Sequence, residues 1–243
     1  MPIERVGVSM FFVGLVIFSN KDFYWGPNKQ RNTIIYLYAI IYFIQTNIMN
    51  VEKQQLWSTT IFNYKLENLD NDTIKSEVLK RENQGKGFQF NPVQGGGWQS
   101  DKALLEESEL LQPLRKNMIE SVNKVLSTLY RDESCISLIN SWANIARDGQ
   151  CTMPHIHEEA SWSAVYYATP TEDATLYLKD PRIQEAMDAS HRFLKQPYSN
   201  VISKRPFNAG EVILFPSWLE HGVAMSVEDT IRISIACNFL IQG

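Results

Sequence analysis

From Ile136 onward the chain reads in a period of two, and that period decides what it can fold into. Segments 136–145, 161–168, 175–179, 211–215 and 230–239 each read as a short strand. Turn residues separate them: Asp148-Gly149, Thr169-Pro170 and Asn208-Ala209-Gly210. Many short strands with turns between them predict a closed or rolled sheet, a β-barrel or jelly roll. The polar stretch 183–206 breaks the rhythm and is expected to form a helix with loops over the barrel mouth.

Upstream of the strands the period is helical. Leu114, Met118, Val122, Val125, Leu126 and Leu129 recur at three- and four-residue steps, predicting a helix over 113–130 with one apolar stripe. Pro113 suits its first turn, where a missing N–H costs nothing. A polar helix is expected over 70–81, capped by Asp72 or Thr73, and a short strand over 57–63. The glycine-rich run 84–99 lacks both the Lys-Ser/Thr ending of a phosphate-binding loop and the G-x-G-x-x-G spacing, so it reads as a structural turn. Helices first and strands after describe a mainly β fold with supporting N-terminal α-helices.

Residues 1–48 differ in character. Two apolar stretches, 8–18 and 34–44, are each shorter than the ~20 residues of a spanning helix. The segment is rich in Ile, Phe, Tyr and Asn and stops at Met49, after which an ordinary soluble-protein composition begins. The expectation is a non-domain extension over 1–48, read-through upstream of a true start at Met49, and one catalytic domain over 49–243. A membrane anchor or a signal peptide are the alternatives. A net charge of −4 gives no electrostatic footprint for nucleic acid. Three cysteines without a C-x-x-C read as reduced thiols of a cytoplasmic protein.

Chemistry enters with the histidines. Of four, His155 and His157 stand at i and i+2 at the mouth of a strand, where side chains two apart share a face. His221 follows the strand 211–215 and lies where a loop can return it to that mouth. Imidazole and carboxylate ligands with open positions suit iron oxygenases, and also bind zinc, copper or nickel. The last strand alternates: Ile231, Ile233 and Ile235 on one face, Arg232, Ser234, Ala236 and Asn238 on the other. An inward arginine needs an anion, and a carboxylate matches its planar fork; Ser234 is placed to add a second hydrogen bond. An internal salt bridge is the competing reading. Asn144, Tyr166, Tyr167 and Trp218 are further candidates near a site, each read first as packing.

In combination these residues resemble the 2-oxoglutarate/Fe(II) oxygenase superfamily, whose pattern is H-x-D/E, a distal His, and an Arg about ten residues beyond it. The chain is most similar to a 2OG-Fe(II) oxygenase family of bacteria and phages. The matching segments are GGWQS, SWANIARDGQCTMPHIH, WSAVYYA, LYLKDPR, GEVILFPSWLEHGV and RISIACNF, from about Trp57 to Phe239. The resemblance implies a double-stranded β-helix that uses Fe(II), 2-oxoglutarate and O2, hydroxylates a small molecule or peptide, and releases succinate and CO2. It implies His155 and His221 as metal ligands, and Arg232 with Ser234 as the holders of the far carboxylate of 2-oxoglutarate. His157 departs from the superfamily's carboxylate. Either three histidines hold the metal, or the register slips and His157 pairs with Glu159. A cupin-like metal enzyme without 2-oxoglutarate and a non-catalytic ligand-binding barrel are the competing functions.

Overall fold

The computed structural model describes residues 58–90, 95–182, 193, 202–225 and 231–243. Contacts divide the chain into two units, Met1–Thr59 and Thr60–Gly243, and the second carries every element below. The extension expected over 1–48 lies outside the described residues, as do His191 and most of the stretch 183–206.

Helix α1 (Asn71–Asn83) takes Asp70 as its cap rather than Asp72 or Thr73. Asp70 Oδ1 accepts from the backbone N–H of Asp72 at 3.1 Å and of Thr73 at 3.2 Å. The Thr73 hydroxyl donates to Asp70 Oδ2 at 2.7 Å, which removes it as a rival cap. A short helix α2 (Leu104–Glu107) and a 3-10 turn (Glu109–Leu111) lead into α3 (Gln112–Leu126), with Pro113 in its first turn. Leu114, Met118, Val122 and Leu126 are buried at successive four-residue steps. The helix stops at Leu126, short of the expected Tyr130, so Leu129 stands exposed beyond the stripe.

Eleven strands follow the described chain: β1 (Phe62–Lys65), β2 (Gly87–Gln89), β3 (Trp98–Ser100), β4 (Cys135–Ala146), β5 (Thr152–His155), β6 (Trp162–Tyr167), β7 (Thr171–Lys179), β8 (Ile202–Phe207), β9 (Glu211–Pro216), β10 (His221–Val223) and β11 (Arg232–Gln242). One sheet has the order β1-β9-β6-β11-β4-β3-β2, the other β5-β10-β7-β8. From β4 to β7, and again from β8 to β11, each connection carries the chain to the opposite sheet. That alternation is a double-stranded β-helix, as the resemblance implied.

Two expectations change. The run 84–99 is more than a turn, because it holds β2 and β3, which extend the larger sheet. Ile202 to Pro206, expected among loops, belong to β8, which pairs with β7.

The larger sheet separates two cores. Its outer face, including Ile145, Leu214, Ile233, Ile235 and Phe239, packs with Val78 of α1 and Met118 and Val122 of α3. Its inner face sends Tyr167, Ile213 and Phe215 against Leu176, Leu178 and Phe207 of the smaller sheet. Each such fully buried side chain stabilises the fold by about 1.5–3 kcal/mol, as an upper estimate. Cys237 lies in the outer core. No helix among the described residues is long and apolar enough to cross a membrane.

Candidate metal centre

Cross-strand pairing builds the site. His155 ends β5 and His221 begins β10, and the two are direct partners in the antiparallel ladder. Side chains opposite each other in a ladder share a face, so both rings point the same way. Their ring centroids lie 4.3 Å apart. Gly222 makes the close approach possible: a Cβ there would lie 2.7 Å from the Thr152 carbonyl oxygen and 2.5 Å from the Tyr177 hydroxyl.

His157 stands just past β5. Its backbone N–H donates to the Ser217 carbonyl at 2.9 Å, which ties this loop to the one ahead of β10. Its ring is 5.1 Å from His155 and 5.0 Å from His221, centroid to centroid. One nitrogen of each of the three imidazoles lies within 4.8 Å of the others. Glu159 is exposed and stands outside this cluster.

Every Nδ1 of the three rings faces an oxygen. His155 Nδ1 is 2.9 Å from the Met153 carbonyl and His221 Nδ1 is 2.8 Å from the Leu219 carbonyl. His157 Nδ1 is 2.7 Å from Asn238 Oδ1 and 2.9 Å from Ser163 Oγ. A carbonyl accepts only, so the proton sits on Nδ1 and the Nε2 lone pair stays open. The Nε2 atoms of His155 and His157 are 3.1 Å apart. Two lone pairs at that distance repel unless a proton or cation lies between them, and oxygens behind metal-bound imidazoles are the usual supporting arrangement. The donor set therefore fits a divalent transition metal.

Burial favours the neutral form of two of the rings. It pushes the His221 imidazole down to about 3, aided by the neighbouring His155. Burial also lowers His157, against the opposing effect of the hydrogen bond that its Nδ1 donates to Asn238 Oδ1. Neutral imidazole is the form that ligates. Phe215 packs edge-on to His221 at 4.6 Å, and Trp142 lies 5.5 Å from His157.

Strand β11 forms the wall opposite. Arg232 and Ser234 are buried at 7% and 8% exposure. They alternate with the outer-core residues Ile233 and Ile235, so they share the inner face with Asn238, which touches His157. Ser234 pairs across the sheet with Asn144 and Tyr167. Of the other candidates, Asn144 lies on this face and accepts from Gln99 Nε2 at 3.3 Å. Tyr167 stacks on Phe207 at 4.2 Å, and Trp218 is 54% exposed between β9 and β10. Tyr166 belongs to the outer core, where its hydroxyl donates to Asn71. The sequence reading did not assign Asn238, Ser163 or Ser217 to the site, although alternation had put Asn238 on the Arg232 face.

Comparison with known proteins agrees with this geometry. No curated protein sequence matches the chain. A SnoN structure, a non-heme alpha-ketoglutarate-dependent epimerase from nogalamycin biosynthesis, superposes with a TM-score of 0.57 at 10% identity, over 75% of this chain and 76% of that one. A prolyl hydroxylase of Trichoplax adhaerens, solved with a hypoxia inducible factor peptide, gives 0.53 at 13% identity, over 89% of this chain and 94% of that one. A Pseudomonas putida prolyl-4-hydroxylase gives 0.50 at 14% identity, over 76% and 95%. At such identities the likeness shows the shared fold. Residues 140–238, which run from within β4 to within β11 and include all three clustered histidines, match the family model of 2OG-Fe(II) oxygenases.

Proposed function

We propose that the chain is a 2-oxoglutarate-dependent dioxygenase that hydroxylates a small molecule or peptide in the cytoplasm, with iron held by His155, His157 and His221. The observation that carries this reading is the three clustered imidazoles, each with Nδ1 on an acceptor and one ring nitrogen within 4.8 Å of the others. Iron bound there supplies O2 activation coupled to oxidative decarboxylation of 2-oxoglutarate to succinate and CO2.

The protein's own share is binding and orientation. His155, His157 and His221 would each hold the metal through one ring nitrogen, and the bound metal would supply the binding of 2-oxoglutarate and O2. Arg232 grips the far carboxylate of 2-oxoglutarate through two parallel N–H donors, and Ser234, one pleat along, adds its hydroxyl. Both are buried, so the pair works in a low dielectric where charge-assisted bonds are strong. Phe215 and Trp142 set apolar rings against His221 and His157. A third imidazole in place of a carboxylate leaves the site one positive charge higher, which favours the dianionic co-substrate.

The test is incubation of the full chain with Fe(II), 2-oxoglutarate and ¹⁸O2 against pools of metabolites and peptides. The expected product carries one labelled oxygen and appears in step with succinate. A product changed without gaining label, as in epimerisation or ring closure, would replace hydroxylation by another oxidation at the same centre.

A further inference from the structure

The three clustered imidazoles are held in two different ways. His155 and His221 each turn Nδ1 to a backbone carbonyl two residues earlier, Met153 at 2.9 Å and Leu219 at 2.8 Å. Those contacts are local and need no particular side chain. His157 has no such carbonyl. Its Nδ1 reaches across to the larger sheet, 2.7 Å from Oδ1 of Asn238 on β11, and 2.9 Å from the hydroxyl of Ser163 on β6.

The difference matters because of what His157 replaces. A carboxylate ligand offers equivalent oxygens and needs no tautomer control. An imidazole has two nitrogens, and only the Nδ1–H tautomer leaves Nε2 free for a metal. We propose that Asn238 is the positioning residue for His157, its side-chain carbonyl holding the imidazole proton on Nδ1 so that Nε2 faces the metal. This rests on the reading of His157 as the third ligand.

The surroundings of Asn238 support the acceptor role. Ser163 donates to the same Oδ1 at 2.8 Å, so two donors converge on an oxygen that has two lone pairs. Ser163 Oγ is also 2.8 Å from Ser217 Oγ, and Ser217 accepts the His157 backbone N–H through its carbonyl. Asn238, Ser163 and Ser217 are 6%, 1% and 0% exposed. With the amide reversed, its N–H would face Nδ1 and drive the proton to Nε2. Nε2 would then donate toward His155 Nε2, 3.1 Å away, and the three rings would close on each other instead of on a metal.

Two measurements on the full chain test this. Long-range ¹H–¹⁵N spectra of the metal-free protein report the tautomer of each histidine. Co(II) and Fe(II) titrations report affinity for wild type, Asn238→Leu, Asn238→Asp, His157→Ala and the His157→Ala/Asn238→Leu pair. The wild type should show His157 with its proton on Nδ1, and Asn238→Leu should lose that preference and bind metal roughly 10- to 100-fold more weakly. Asn238→Asp, which keeps the acceptor, should retain both tautomer and most affinity. In the His157→Ala background Asn238→Leu should add nothing. If His157→Ala weakens binding and Asn238→Leu does not, Asn238 is structural and the three-histidine reading stands. If His157→Ala leaves affinity unchanged, the three-histidine reading itself fails. Should Asn238→Leu not fold, an Nε2–H signal for His157 in the wild type would overturn the proposal alone.

Discussion

His155 and His221 stand directly opposite each other across β5 and β10, with ring centroids 4.3 Å apart and each Nδ1 on the carbonyl two residues before it. The ladder therefore places two candidate ligands with one register, and His157 completes the cluster from the loop beyond β5. Removing either ladder histidine should abolish Fe(II) binding, read as metal content of the purified chain. His157→Ala should weaken it, and Glu159→Ala should leave it unchanged, since Glu159 is exposed outside the cluster. Loss of iron with Glu159→Ala and not with His157→Ala would shift the third ligand to the glutamate.

Arg232 separates a 2-oxoglutarate enzyme from any other metal barrel. Arg232→Leu should leave iron binding nearly intact and raise the 2-oxoglutarate requirement by the loss of a charge-assisted bidentate pair, about 2–5 kcal/mol. Ser234→Ala should cost about 1 kcal/mol, as a single neutral donor does. Lysine at 232 should rescue in part, keeping charge without the fork. Succinate formed against 2-oxoglutarate concentration is the readout, and an unmoved curve for Arg232→Leu would make the arginine structural.

Gly222 tests whether the ladder sets the metal geometry. An alanine Cβ would press on the Thr152 carbonyl and the Tyr177 hydroxyl, on the strands to either side of β10. Overpacking of this kind costs about 1–3 kcal/mol. Gly222→Ala should lower the midpoint of chemical unfolding and weaken metal binding together. Weaker metal binding without any loss of stability would mean the clash is absorbed locally at His221.

Much of this was legible in the sequence because period two is robust: Arg232, Ser234 and Asn238 share a face whatever the strand ends. The H-x-H pair and His221 pointed to the cluster that the fold brings together. The ladder that joins them was not legible, since β5 and β10 have only four and three residues and contain Pro154 and Gly222. Asp70 was passed over as a cap because three capping residue types stand within four positions, and only the backbone decides among them. The role of Asn238 depends on β11 facing the loop after β5, a tertiary fact that no local pattern states.

A chain beginning at Met49 should fold and turn over 2-oxoglutarate as the full chain does, because the compact unit that holds the site begins at Thr60. Circular dichroism and succinate formation compare the two forms. Loss of folding or turnover on removing 1–48 would assign that segment a structural part.

The most direct measurement is an anaerobic calorimetric titration of 2-oxoglutarate into the Fe(II)-loaded full chain, repeated with the metal-free chain and with Arg232→Leu. One molecule should bind per iron, binding should vanish without metal, and it should weaken strongly in the variant. Absence of binding to the iron-loaded chain, or binding indifferent to both iron and Arg232, would contradict a centre built from His155, His157, His221 and Arg232.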